Sequence, residues 1–277
     1  MSQQSTSDRE ATPVTDADRG QVAATAAEVY ESFFLPALFD QWAGPLLDAA
    51  QVSSGDRVLD VGCGTGIVAR SALSRVGPEG RVVGLDPNEG MLAVAKKTSG
   101  VEWTTGVAED IPFDDNGFDV VVSQFAMMFF DDRSGAVSEM SRVLEPGGRT
   151  AIATWASLDD TPGYASMVRL LDRLFGTDAG DALRAPYNMG DSRILEELLS
   201  AEFEDVEIET IEGTARFDSI EAWVHTDIRG WTLSDMSEED YQRLLAAAED
   251  ELARYVGDGG KVSFPAPALI ATGAAAG

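Results

Sequence analysis

A chain of 277 residues with 44% hydrophobic side chains is long enough to bury a sizeable core, as one large domain or two small ones. Forty-eight acids against 20 bases leave a formal charge of −28, with Lys96, Lys97 and Lys261 the only lysines, which argues against a nucleic-acid partner because no basic patch can release counterions. The single cysteine, Cys63, excludes an internal disulfide and a cysteine-cluster metal site, so no metal is expected.

Residues 1–17 are polar, rich in Ser, Thr and Asp and without period, which predicts a disordered tail. "MSQQSTSDRE" has neither the basic nor the apolar region of a signal peptide, and no apolar run approaches the length of a membrane span, so a cytoplasmic location is expected. Val22, Ala26, Val29 and Phe33 mark one helical face, and "LPALFDQWAGPLLDAA" predicts a second helix, kinked or broken at Pro45. From Arg57 short β-branched runs alternate with helical stretches. Strand "RVLDV" precedes a helix from about Gly66, and strand "RVVGLD" precedes one from about Asn88. Strands "VEWTTG" and "FDVVVSQ" follow, then a helix through "SGAVSEMSRVLEPGG" and the strand "RTAIATW". That alternation predicts an α/β fold, doubly wound around a mainly parallel sheet.

Past Trp155 the rhythm loosens. Met167, Leu170, Leu171 and Leu174 fall at helical spacing within 157–190, ahead of a loop at "LRAPYNMGD". "SRILEELLSAEF" predicts a helix and "FEDVEIETI" a strand. Helices are expected at 218–230 and 237–256, the second opened by a capping box from Ser237 to Asp240 and stopped at Gly257, before a closing strand in "PAPALIATG". Residues 18–277 thus read as one domain. Its parts are N-terminal helices over 18–50, a ligand-binding core over 51–156, and covering segments at 157–190 and 218–256.

"VLDVGCGTG", Val58 to Gly66, follows the first strand, and Gly62, Gly64 and Gly66 let a ligand approach the backbone or the chain turn sharply. A dinucleotide loop would read G-x-G-x-x-G, but here the spacing is G-x-G-x-G and Ile67 takes the last glycine's place. Asp60, ending the strand, would repel a pyrophosphate and attract a cation. Asp86, twenty residues past Gly66, ends the second strand, where a carboxylate can accept both hydroxyls of a ribose. Loop and acid together imply a nucleoside without a diphosphate.

The ordered set "VLDVGCGTG", "VVGLDPNEGML", "GVAEDIPFDDNGFDVVVSQ" and "VLEPGGR" resembles the class I S-adenosylmethionine-dependent methyltransferases, in particular their ubiquinone/menaquinone-biosynthesis-like small-molecule branch, closely over about residues 25–155. The resemblance implies a Rossmann-like sheet with a last antiparallel strand and helical lid insertions. It also implies S-adenosylmethionine as donor and methyl transfer to a small-molecule acceptor. Gly62, Gly64 and Gly66 would let the backbone approach the methionine portion and ribose, with Asp60 near the ammonium group and Cys63 filling the loop. Asp86 would grip the ribose, and Pro87 and Met91 would pack on the adenine. Ser123 and Gln124 would face the methyl group, and Tyr30 would cover the donor. Relatives often place an acid after the glycine that follows the third strand. Here Val107 follows Gly106, so the adenine edge is expected to fall to the Ala108 backbone and Glu109.

His225 is the only histidine, so an imidazole base would have to be this one. On an amphipathic helix between Trp223 and Trp231 it reads rather as structural. Methyl transfer from an activated donor runs largely on proximity and orientation, and a base matters only when the acceptor must lose a proton. Trp155, Tyr164, Tyr187, Trp223 and Trp231 in or beside the covering segments point to an apolar or aromatic acceptor, and "QFAMMFF" reads equally as pocket lining or core. A nicotinamide-dependent oxidoreductase and a non-catalytic donor-binding protein stay open as alternatives. The acidic coat reads as adaptation to a salt-rich cytoplasm, where concentrated ions screen self-repulsion.

Overall fold

The computed structural model describes residues 24–277, so the predicted tail over 1–17 and Val22 lie outside the described residues. Its strands are β1 (Arg57–Val61), β2 (Arg81–Asp86), β3 (Glu102–Thr105), β4 (Phe118–Gln124), β5 (Leu144–Trp155), β6 (Phe203–Ile211), β7 (Thr214–Phe217), β8 (Val262–Pro265) and β9 (Ala268–Ala275). Seven make one sheet in the order β3-β2-β1-β4-β5-β9-β6. The pairs β1–β2, β1–β4, β2–β3 and β4–β5 are parallel, and β9 runs antiparallel between β5 and β6. The fold is thus the doubly wound α/β sheet with a last antiparallel strand. Val58, Leu59, Val61, Val120, Val121 and Val122 are buried because helices cover both faces. The strand order reverses between β1 and β4, opening a crevice beyond their carboxyl ends.

The covering helices are α1 (Ala24–Val29), α2 (Ala43–Ala49), α3 (Ile67–Val76), α4 (Glu89–Ala95), α5 (Arg133–Val143), α6 (Pro162–Phe175), α7 (Thr177–Arg184), α8 (Ser192–Leu199), α9 (Ile220–Trp223) and α10 (Glu238–Glu251). Caps set the helix starts. The Asn88 side chain accepts from the Gly90 and Met91 amides at 2.9 and 3.1 Å, and Asp132 accepts from Gly135 at 3.0 Å. The predicted Ser237 cap is present, its Oγ accepting from the Asp240 amide at 3.1 Å. Among the described residues no helix is long and apolar enough to cross a membrane.

Four local expectations are corrected. The chain does not break at Pro45, which sits in the first turn of α2, where a missing N–H costs no intrahelical bond. The helical path changes character before it, through a π-helical stretch Tyr30–Phe39 and a 3₁₀ turn Asp40–Trp42. "LEPGG" belongs to β5 and not to α5, since Pro146 and the left-handed Gly147 (φ +75°) cannot continue a helix. α10 ends at Glu251, and Gly257 instead closes a turn, its amide bonding Lys261 O at 2.8 Å. The region expected as a helix at 218–230 is a single α-turn, α9, running into a second π-helical stretch, Val224–Thr232. The short ribbon of β7 and β8 went unpredicted, because four residues carry too little periodicity to stand out.

Candidate active site

The loop between β1 and α3 holds Gly62, Gly64 and Gly66 all in the left-handed region, with φ of +71°, +54° and +89°. Their roles separate on sterics. A Cβ on Gly62 would strike Ala126 after β4, and one on Gly66 would run into the Trp103 indole, whereas one on Gly64 would meet nothing within 4 Å. Two glycines therefore serve close packing and the third faces open space. Asp86, at the tip of β2, fixes that third glycine. Its Oδ2 accepts the Gly64 amide and its Oδ1 the Asn88 amide, both at 2.8 Å. Each oxygen keeps a second lone pair for another donor.

Asp60, buried at the end of β1, accepts the Ala69 amide of α3 on Oδ2 at 3.0 Å, while Oδ1 is buried without a hydrogen-bond partner. Burial pushes its pKa up to about 7, with the Asp86 charge adding and the Ala69 amide and Arg70 opposing. The Ser123 hydroxyl at the end of β4 is likewise buried and unpartnered. Gln124 donates to Phe39 O at 3.2 Å and leaves its own buried Oε1 free. Glu31 pairs one oxygen with Arg70 at 3.0 Å and keeps the other buried and unpartnered. Unsatisfied buried oxygens are expensive, so their clustering around one crevice points to a ligand that donates hydrogen bonds or carries positive charge.

Cys63 is buried, and burial together with Asp60 and Asp86 raises its thiol pKa, which makes it an inert loop filler. Tyr30 is half-buried, and burial reinforced by the charges of Asp86, Glu31 and Asp60 pushes its hydroxyl pKa up, placing it over the same crevice. Met91 is buried against Ala27 and Val94 beneath Tyr30 and Trp231, and Pro87 beside it is exposed. Ala108 is buried, but the neighbouring Glu109 spends Oε1 on the amides of Asp131 and Asp132, at 2.9 and 3.2 Å, ahead of α5. His225 is exposed and meets Tyr241 edge-on, with ring centroids 5.7 Å apart. It is not brought to the crevice with the others.

Sequence reasoning missed Asp227, two residues on, which is buried. It accepts from Tyr164 Oη at 2.6 Å, Trp223 Nε1 at 3.1 Å and Thr232 Oγ1 at 3.3 Å. The available signal was its i,i+4 spacing from Trp223 on a helical face. Beyond β4 the crevice is walled by aromatic rings. Phe125, with φ +52°, stacks on Trp155 at 4.1 Å, flanked by Phe39 and Trp42. A bulky residue is rarely held left-handed unless its surroundings demand it. Here the Phe125 amide is held by Ala153 O at 2.8 Å. A cleft of about 540 Å³ opens beside this wall, lined by Ala156, Tyr187, Ile194 and Leu269 together with the polar Ser157, Asp160, Asn188, Asp191, Ser192 and Thr210.

Residues 59–152 match the family described as a methyltransferase domain. A demethylmenaquinone methyltransferase from Staphylococcus carnosus is 37% identical over 143 residues, covering 49% of this chain and 59% of its own. A ubiquinone/menaquinone biosynthesis C-methyltransferase from Idiomarina loihiensis is 35% identical over 143 residues, covering 49% of this chain and 57% of its own. The chain thus spans under three fifths of the length of these curated relatives. Phosphoethanolamine N-methyltransferase 2 from Haemonchus contortus, solved with phosphomonomethylethanolamine and S-adenosylhomocysteine, superposes with a TM-score of 0.62 over 96% of this chain and 61% of its own. At 22% identity that likeness shows the shared fold. Residues 59–152 thus match a methyltransferase domain, on a fold shared with an enzyme that has also been solved with the donor S-adenosylmethionine. The crevice suits that donor on its own terms: Gly64 leaves room against the backbone, and Asp60 Oδ1 offers a buried acceptor to a cationic amine.

Proposed function

We propose that the chain transfers a methyl group from S-adenosylmethionine to a small, flat, largely apolar acceptor. The observation that carries this reading is the opening at Gly64, held between the half-satisfied Asp60 and the amide-anchored Asp86. In this reading Asp60 Oδ1 receives the ammonium group, and the outer lone pairs of Asp86 receive the ribose hydroxyls. Pro87 and Met91 flank the adenine, the Ala108 backbone meets its edge, and Ser123 and Gln124 face the methyl group. Glu109 is left a supporting part, since it already braces the approach to α5.

The donor's sulfonium supplies an already activated methyl group, so transfer is an in-line displacement that needs no metal-bound or imidazole nucleophile from the chain. The chain's own contribution is orientation and exclusion of water. The glycine loop sets the donor's depth, and the buried Phe125–Trp155 stack stands as an apolar wall beside β4. That wall suits an aromatic or quinone-type acceptor, in keeping with the names of the two curated relatives. An acceptor that reacts through an ionised oxygen or carbon would arrive ionised or lose its proton to water, because the exposed His225 stands away from the crevice. The reading places the protein in the cytoplasm, working on a small molecule.

Titration calorimetry with S-adenosylmethionine and with NAD(H), followed by turnover on a panel of quinones, phenols and amines, tests it. Binding of the donor but not the dinucleotide is expected, with turnover highest on the quinones and phenols. Tight NAD(H) binding would overturn the donor assignment, and donor binding without turnover on any acceptor would reduce the protein to a donor-binding module.

A further inference from the structure

Two π-helical stretches, Tyr30–Phe39 near the N-terminus and Val224–Thr232 far along the chain, meet at the crevice. Such stretches are uncommon and cluster at functional sites. Trp231, near the end of the second, packs on Phe34 at 4.8 Å and on Tyr30 at 6.2 Å between ring centroids, and it also rests on the cluster of Ala27, Met91 and Val94. The Trp231 side chain is only partly buried although it packs against Met91. It therefore stands on the β2 and α4 side of the crevice, away from the β4 tip. The hydroxyl of its neighbour Tyr30 feels Asp60, Asp86 and Glu31. Tyr30 thus looks onto the anionic wall of the pocket, with Trp231 packed beside it.

Asp227 lies one helical turn before Trp231 and serves no step of the proposed reaction. It ties the stretch to α6 through Tyr164 and to α9 through Trp223, and it clips Thr232, the residue next to Trp231. A carboxylate with three donors from three sites has one geometry available to it, and so does the turn that carries it.

We infer that Trp231 is a donor-binding residue, supplied by the C-terminal half as an aromatic wall on the purine side of the pocket, and that Asp227 is the positioning residue that holds it there. The inference rests on the S-adenosylmethionine reading and adds a binding surface outside the family-matched segment of 59–152. An indole face suits both a flat purine and the fringe of a cationic donor.

The test is donor affinity of the full chain, with S-adenosylmethionine and S-adenosylhomocysteine as probes, read by calorimetry and by intrinsic fluorescence. Trp231→Ala is expected to raise Kd for both probes by about tenfold or more and to lower the melting temperature through lost packing, whereas Trp231→Phe should raise Kd a few-fold with little change in the melting temperature of the free protein. Donor addition should change the emission of the wild type, and Trp231→Phe should lose most of that change. Thr232→Val removes only the hydroxyl that Asp227 clips and should raise Kd a few-fold. Asp227→Asn keeps an acceptor for Tyr164 and Trp223 and should stay near wild type. In the Trp231→Ala background Thr232→Val should have no further effect on Kd, because its influence passes through the indole. Wild-type affinity in Trp231→Ala would overturn the wall, and additive losses in the double variant would overturn the positioning role. A wild type that binds neither probe would instead overturn the donor reading itself.

Discussion

At the tips of β1 and β2 the surface offered to a ligand is mostly backbone: a glycine loop, the amides around it, and two aspartates that hold those amides or wait beside them. Across the crevice, from Phe125 and Trp155 to Tyr187 and Trp231, it is mostly aromatic side chain. The buried carboxylates follow the same division. Asp60 has one oxygen satisfied and one free, whereas Asp227 is satisfied from three sides. A backbone-lined surface fits one ligand closely and fails sharply when a single atom intrudes. A side-chain-lined surface is graded, because each ring contributes part of the contact and can be exchanged. Under the proposed function, the first surface would suit one invariant donor and the second an acceptor whose identity varies.

The sharpest test of that contrast is a pair of glycines. Gly64→Val should raise donor Kd at least a hundredfold, since its side chain fills the open space. It should cost the fold only about 1 kcal/mol for the left-handed backbone. Gly66→Val should do the reverse and lower the melting temperature steeply by driving into Trp103. Calorimetry and thermal melts on both variants decide it, and similar behaviour of the two would collapse the distinction between open and packed glycines.

Asp86→Ala comes next. It should weaken donor binding by about 2–3 kcal/mol and also destabilise the free protein by about 1–3 kcal/mol, because the amides of Gly64 and Asn88 both lose their acceptor. Denaturant titrations alongside donor binding would separate the two losses. An unchanged fold would mean that water replaces the carboxylate and that the loop stands without it.

Asp60 makes the contrast pH-dependent. Its pKa rises on folding from 3.8 to about 7, so between those values the native state holds a proton that the unfolded chain releases. Unfolding free energy should therefore fall as pH climbs from about 4 to about 7 and lose no more from this group above that. Asp60→Asn should flatten that portion of the profile and be more stable than wild type at pH 8 by about 2 kcal/mol. A wild-type profile that rises through this window and is unchanged in the variant would mean that Asp60 is not desolvated.

On the lid side Phe125→Gly should raise the acceptor KM about tenfold while leaving donor Kd alone. The glycine relieves the left-handed backbone but removes half of the stacked wall. Steady-state kinetics with each substrate varied in turn would show a loss in the donor constant if the wall served both molecules. The smallest effect concerns charge shared by both halves. With a formal −28, the melting temperature should rise by several degrees from dilute buffer into molar potassium chloride, with donor affinity changing less. A flat or falling melting temperature would leave the acidity without a salt-screening explanation.

The strands β1, β2, β4 and β6, the helix start near Asn88 and the cap at Ser237 were legible residue by residue, because strands and helix starts write their signals locally. So was the donor chemistry, since a glycine loop and an acid at a strand tip are short-range features. What escaped lies where the answer depends on a distant partner. Gly62, Gly64 and Gly66 look equivalent in sequence, and they part company only because Trp103 of β3 and Ala126 of the turn after β4 come against two of them. Glu109 looked free until Asp131 and Asp132 came beside it. Asp227 looked like one more acid among 48 acidic residues until Tyr164, 63 residues away, donated to it. The α/β class, the glycine loop and the acid at the tip of the second strand are written along the chain, because backbone conformation and charge there are local matters. Which buried acid is a ligand-facing group and which is a brace, and which aromatic rings wall the crevice, follow from contacts between segments far apart in the chain, which no local pattern encodes.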